Sequence, residues 1–462
     1  MHMHSPGPDP GLTLVHAPLA LCTCRSRGSG RRPPCSLLLL ARLLAPLSSL
    51  SVLDLGHHLH WSGSSLAPLL ALPSLCSLTL ANCSQLGSLD DAVPLLSRLT
   101  ALQLGHCHWG DGLSSLRDLT PLSACSNLQL LKLPECRKAA RTSSGILPNL
   151  IQLTHVEMHL KATFPTSLCS RLVSLQLWAC EQVVSLPPLP QLGHLTTLSL
   201  HELYRLTGLT PLSSLTQLQE LMLDSLGEVG CLAPLSHLTR LAVLDLTWED
   251  KIGEGLDLGP LVKLPLLREL CVDALNPEGR DVLGACALLE HLAGLPGLLR
   301  LTLPLGSDTE AAQLAKLTAL ETLKVVNTSG CTGAVLHALS GCLPRLVSLR
   351  LYHVHNYSGS CLAAITSFDS LRSLELECCS ELSDVEMEEL RVHSGRLTSL
   401  HLHYCSGFSQ RAVEALARAG HTFGFEFDFE SGDLVEDKVA DDDQQVGRWG
   451  PLDDRQVGAN TH

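Results

Sequence analysis

The sequence predicts an α/β solenoid, a curved stack of short repeats whose parallel strands line one concave sheet. Three observations predict it. The motif L-x-x-L-x-L occurs fifteen times in 462 residues. Its copies follow one another at intervals of 19 to 31 residues. Aromatic residues make up only 3% of a chain that is 45% hydrophobic, so leucine must fill the core. A core of one residue type implies one packing environment, used again and again.

The motif begins at Leu50, Leu75, Leu99, Leu128, Leu153, Leu172, Leu195, Leu218, Leu241, Leu267, Leu298, Leu320, Leu346, Leu371 and Leu397. Val156, Met158, Val272 and Val325 replace leucine at inner positions. The fourth and sixth positions alternate with polar residues, which is the pattern of a short strand with one buried face. A strand and its return segment cannot bury that face alone. Stacked repeats can, with strands on the concave side and returns on the convex side. The spacing is that of leucine-rich repeats.

Eight residues after the first leucine the chain turns out of the strand. That corner is Cys83, Cys107, Cys136, Cys180, Cys379 and Cys405 in six copies, and Leu203, Leu226, Leu275 or Val354 in others. A small buryable side chain with a weak S–H donor suits a tight corner. The cysteines are therefore read as packing residues in a reducing, intracellular compartment, cytoplasmic in the first instance. No C-x-x-C pair occurs, and Cys22/Cys24 and Cys378/Cys379 have the wrong spacing for zinc.

The run Leu371-Arg-Ser-Leu374-Glu-Leu376-Glu-Cys-Cys379, followed by Leu397-Thr-Ser-Leu400-His-Leu402-His-Tyr-Cys405, resembles the cysteine-containing repeats of F-box/leucine-rich-repeat proteins. The resemblance implies a solenoid that presents substrates for SCF-type ubiquitin-dependent degradation. Residues 1–45 show no F-box-like helical pattern. The middle copies, Leu209-Thr-Pro-Leu-Ser-Ser-Leu-Thr-Gln-Leu218 and Leu232-Ala-Pro-Leu-Ser-His-Leu-Thr-Arg-Leu241, resemble the short repeats of internalins and of axonemal proteins. That likeness implies a structural role in a cytoskeletal assembly such as the ciliary axoneme.

Residues 1–45, rich in Pro, Gly, Ser and Arg, read as a basic disordered tail, with Leu37–Leu47 as the start of an incomplete repeat. Arg31 and Arg32 before Leu37–Leu40 look like a signal-peptide core, but Arg42 and Pro46 interrupt it. Residues 46–430 read as the solenoid. Its middle returns begin Pro-Leu-Ser, which favours 3₁₀ or extended structure. Glu310–Leu317, Ala334–Leu339, Asp384–Val392 and Gln410–Ala419 carry helical spacing, with Asp384 and Ser409 as N-caps and Gly420 as a stop. A change of curvature near residue 300 follows. The alternating phenylalanines from Phe423 to Phe429 read as a closing strand. Residues 431–462 read as an acidic disordered tail.

The formal net charge is −14. Between Glu426 and His462 lie eleven acidic and three basic side chains, more than half of that imbalance. No face looks built to track phosphate backbones, so nucleic acid is not an expected partner. No apolar run of ~20 residues crosses a membrane. Sequons at Asn82, Asn327 and Asn356 leave an extracellular pattern-recognition domain as a further reading. There is no G-x-S-x-G elbow, Walker loop or H-E-x-x-H. The expectation is a non-catalytic, monomeric scaffold that binds a protein, with no metal and no cofactor.

The expected working surface is the concave face. Histidines pair as H-x-H at His58/His60, His106/His108, His353/His355 and His401/His403. Residues two apart on a strand face the same way. His401 and His403 therefore join Glu375 and Glu377, and Arg350 and Tyr352, in two short rows across strands ~4.8 Å apart. Their mixed charge and aromatic ring suit recognition; two histidines and a glutamate could also ligate zinc. Towards the centre, Trp178, His201, Met222, Asp224, Asp245 and Trp248 are placed on the same face, where tryptophan is a common binding anchor.

Overall fold

The computed structural model describes residues 13–14, 46–54, 65–80, 86–104, 115–133, 146–159, 170–227, 229–248, 257–274, 295, 297–305, 308, 312–326, 332, 334–352, 361–379, 382–393, 395–405, 407–418 and 422–426. Cys83, Cys107, Cys136, Leu275, Val354, the first three H-x-H pairs, the three sequons and Gly420 lie outside these residues, as does all but Thr13–Leu14 of the N-terminal tail.

Among the described residues, seventeen strands form one parallel sheet. They are β1 (Thr13–Leu14), β2 (Val52–Asp54), β3 (Ser77–Leu80), β4 (Ala101–Leu104), β5 (Leu130–Leu133) and β6 (His155–His159). Then come β7 (Ser174–Trp178), β8 (Thr197–Leu200), β9 (Glu220–Leu226), β10 (Val243–Trp248), β11 (Glu269–Ala274) and β12 (Arg300–Pro304). The last five are β13 (Thr322–Val326), β14 (Ser348–Tyr352), β15 (Ser373–Glu377), β16 (Ser399–His403) and β17 (Thr422–Glu426). Each strand pairs in parallel with the next in the chain, and β2 to β16 are the strands of the fifteen motifs. The molecule is a leucine-rich-repeat solenoid, a curved horseshoe with its sheet on the concave side. No helix among the described residues is long and apolar enough to cross a membrane.

The repeat that starts at Leu195 shows how sequence makes this shape. Leu195, Leu198, Leu200, Leu203, Leu206, Leu209, Leu212 and Leu215 all point inward and are essentially inaccessible. Each contributes about 1.5–3 kcal/mol by burial, but only when the next repeat covers it. Leu203 is the corner position, where Cys180, Cys379 and Cys405 are buried in their own repeats. Just before the corner the backbone is left-handed at Ala179, Glu202, Ser225, Cys378 and Tyr404, with φ between 52° and 63°. Gly227 follows one such corner, where a Cβ would stand 2.2 Å from the Tyr204 carbonyl oxygen.

A second periodic device sets the register between repeats. Directly after the first leucine, the hydroxyls of Thr100, Thr154, Thr196 and Thr398 donate to the main-chain carbonyl of the equivalent residue one repeat earlier, at 3.1–3.2 Å.

The returns that open with Pro are 3₁₀ at Thr210–Ser214, Ala233–His237 and Gly259–Lys263, though the short α-helix Val93–Leu96 also opens with Pro94. α-Helices are α1 (Val93–Leu96), α2 (Ala334–Ser340), α3 (Asp384–His393) and α4 (Gln410–Ala417). Among the described residues, only α1, a single turn, falls outside the C-terminal part. Glu310–Leu317 differs from expectation, because its regular part is a 3₁₀ turn at Ala312–Lys316. Ser409 caps α4 by accepting from the Ala412 amide. Asp384 does not cap α3. Ser383 does, in a reciprocal capping box in which the Val385 amide donates to its hydroxyl and its own amide donates to Glu386. Asp384 instead reaches forward a repeat and accepts from the Ser409 amide at 2.6 Å and hydroxyl at 2.8 Å. Asp308 binds Thr332 in the same way.

Trp248 is a correction to the expected concave set. It is fully buried in the core. Leu244 and Leu246 point inward from β10, and Trp248 is the next residue of that parity.

Candidate binding face

Strand alternation brings Arg350, Glu375 and His401 into one register row, and Tyr352, Glu377 and His403 into the next. The side chains join across the rows. Arg350 Nη2 lies 2.6 Å from Glu375 Oε1 and 2.8 Å from Glu377 Oε2, and its Nε donates to Glu377 at 3.1 Å. His403 Nε2 lies 3.1 Å from the same Glu375 oxygen. The His401 and His403 rings are parallel with centroids 5.7 Å apart. The Ser399 hydroxyl is 2.7 Å from His401 Nε2. All are partly exposed. Tyr352 closes the cluster; burial first, then a hydrogen bond with Cys378, pushes its phenol up to about 12.

The central residues form a different arrangement. Trp178 stacks on His201 with ring centroids 3.7 Å apart and an interplanar angle of 4°. His159 continues the stack on the other side at 6.5 Å. His201 is held at both nitrogens, by the Ser199 hydroxyl at 2.8 Å and Asp224 Oδ2 at 3.4 Å. It is therefore on the concave face but only 6% exposed, covered by the indole. Met222 is the exposed apolar side chain here, at 38%. Asp245 is partly covered, and its carboxyl is raised above the usual range, chiefly by burial and against hydrogen bonds from Cys271 and Thr247. Glu220, Glu269 and Asp273 make this part of the face acidic. The sequence reading missed His159, Ser199, Glu220 and Cys271, although the same strand counting places each of them.

Ser199, His201 and Asp224 stand in the order of a nucleophile relay. The geometry does not support that chemistry. The His201 amide already donates to the Leu177 carbonyl in the sheet, so it is not free to stabilise an oxyanion. The same Ser-x-His contact recurs at Ser399 and His401. It is the ordinary meeting of two side chains two apart on a strand. Among the described residues, no group of three or more His, Cys, Asp and Glu side chains is arranged to hold a metal ion.

No family model matches the sequence, and no curated protein matches it. Solved structures do align with it. An internalin of Listeria monocytogenes aligns at TM-score 0.39 and 20% identity, over 78% of this chain and 88% of that one. A leucine-rich-repeat protein of Leptospira interrogans aligns at 0.47 and 18%, over 86% and 100%. The functional domain of a second Listeria internalin, which includes a cysteine ladder, aligns at 0.39 and 17%, over 83% and 69%. Likenesses of this degree carry nothing about function or partner.

Proposed function

We propose that the chain is a non-catalytic scaffold that captures a protein partner on its concave face, chiefly through Arg350, Tyr352, Glu375, Glu377, His401 and His403. One observation carries the reading: the ion-paired network from Arg350 through Glu375 to His403. Its side chains are already fixed on a sheet, so a partner meets them with little ordering entropy left to lose. Both charge signs and a tyrosine edge face outward together, which favours selective over general adhesion. The acidic centre around Met222, Asp224 and Asp245, with the edge of Trp178, extends the same surface.

The finer form of the proposal is substrate recognition for ubiquitin-dependent degradation inside the cell. It rests on the resemblance of the cysteine-bearing repeats at 371–405. Co-purification with a ubiquitin-ligase scaffold supports that form, and its absence removes the finer form while leaving the scaffold reading intact.

The test is quantitative affinity capture from the native cell with three baits. These are the wild type, Tyr352→Ala/His403→Ala, and the convex variant Glu388→Ala, whose side chain pairs with Arg391 on α3. A partner that uses this face is lost from the double variant alone, corresponding to about 2 kcal/mol or more of binding. Capture that survives the double change and fails with Glu388→Ala overturns the assignment.

A further inference from the structure

The edge of the sheet where strands begin carries a charge that the concave face does not. Consider the residues from four before to two after the first leucine of each motif. In the seven repeats that start at Leu241, Leu267, Leu298, Leu320, Leu346, Leu371 and Leu397, eight of these are Lys or Arg and three are Glu or Asp. The eight earlier repeats have two and one. A basic edge thus occupies only the C-terminal half of a chain whose net charge is −14.

Arg240, Lys263, Arg268, Lys316 and Arg345 on this edge are exposed and have no ion pair among the described residues. Like charges a few strand spacings apart repel one another unless an anion lies between them. Apolar side chains share the edge: Leu266 is 49% exposed and Val347 42%. The surface is therefore both cationic and apolar, and it suits an extended segment that mixes carboxylates with hydrophobic residues.

We propose that the segment is this chain's own residues 427–462, laid along the basic edge between β16 and β10. Its composition matches: Phe427-Asp-Phe429-Glu and Leu434-Val-Glu-Asp interleave apolar and acidic side chains. Its reach suffices. Strand β17 ends at Glu426, and 36 residues follow. Extended at ~3.3 Å each, they exceed the ~34 Å from β17 to β10 several-fold. Tethering holds the segment at an effective concentration of about millimolar, enough for contacts that are individually weak. The segment then neutralises the edge and leaves it open to displacement by a more acidic partner.

Carbodiimide coupling of the full chain tests this, because it joins a lysine amine to a carboxylate only when they touch. An equal mixture of unlabelled and ¹⁵N-labelled protein is coupled and digested for mass spectrometry. The expected products join Lys263 or Lys316 to acidic residues between Asp428 and Asp454, within chains of one isotope. Their yield falls at least about fivefold in 0.5 M NaCl and in the variant Arg240→Glu/Arg268→Glu/Arg345→Glu. These are exposed positions; should the variant fail to fold, the salt series decides alone. Absence of the products overturns the proposal. So do products that join differently labelled chains, which assign the edge to a second copy, and yields indifferent to salt.

Discussion

A thiol enclosed at a repeat corner is a polar group kept neutral. Burial pushes Cys180 up to about 12, opposed in part by the hydrogen bond with His201 and then aided by the charge of Glu202. Its unfolded value lies near 8.5–9. A native pKa above the unfolded one means stability that is complete below about pH 8.5 and is lost as pH climbs towards 12. By pH 10.5 the loss is about 2 kcal/mol. Urea midpoints at pH 8 and 10.5 measure it, and Cys180→Ala should lose distinctly less between the two; equal losses in both proteins would rule out the enclosed thiol as their source. Cys379 provides a harsher case. It is inaccessible, and its neighbour is the Cys405 thiol. Cys379→Asp places an unpaired carboxylate in that corner and should cost about 3 kcal/mol or more, read as a lowered melting temperature. An unchanged melt would show that the repeats are misaligned there. Cys180, Cys379 and Cys405 were legible as corner residues because they recur at one offset. Trp248 was not placed correctly, because the parity of β10 had to be counted from Leu244 rather than from the tryptophan's own rarity.

At the scale of elements, strands were easier to read than returns. A strand declares itself through leucines at fixed offsets. A return depends on its residues as well as its length. A 3₁₀ turn rises ~2.0 Å per residue and an α-helix ~1.5 Å, so a short repeat favours 3₁₀. The 26-residue repeat starting at Leu241 also returns through 3₁₀, at Gly259–Lys263, which Pro260 opens. Only 22 residues separate Leu298 from Leu320, and Ala312–Lys316 is 3₁₀ despite its helix-forming residues. The repeats starting at Leu320 and Leu371 have 26 residues and contain α2 and α3. The cap of α3 was one residue away from its expected place, because Ser383 and Asp384 are both good cap residues and only Ser383 has Glu386 three positions on. Ser383→Ala should therefore destabilise the array by about 1 kcal/mol through loss of the cap. Asp384→Ala should act by a separate route, the link to Ser409 in the next repeat. Urea unfolding of the two single variants and the double distinguishes them: additive losses fit two independent contacts, and a silent Ser383→Ala would remove the capping box from the account. The network around Arg350 was legible as two rows, whereas its diagonal bonds depend on side-chain reach and needed the structure.

For the whole molecule, contacts run from each repeat to its neighbours, so stability is close to a sum of local and nearest-neighbour terms. The motifs at Leu172, Leu195, Leu218 and Leu241 are spaced by 23 residues each. Their equal period allows the solenoid to be shortened without a scar. Removing Leu195–Gln217 joins His194 to Leu218, and Leu218 then takes the place of Leu195. Strand β7 meets β9 in the register that it had with β8, and the core leucines still face one another. The stack of Trp178 on His201 is lost, with one interface of the array. The expected result is a monomeric protein with an unaltered far-ultraviolet circular dichroism shape per residue and one cooperative melt, a few degrees lower. Removing only Leu195–Leu206 deletes the strand and keeps the return Thr207–Gln217. The leucines of β7 and β9 then have no partner strand between them, and the exposed apolar face should drive aggregation. Circular dichroism melts and size-exclusion chromatography of the two deletions make the comparison. If the whole-period deletion aggregates as the half-period one does, the array is not modular in its middle. Its stability would then depend on contacts more distant than the adjacent repeat.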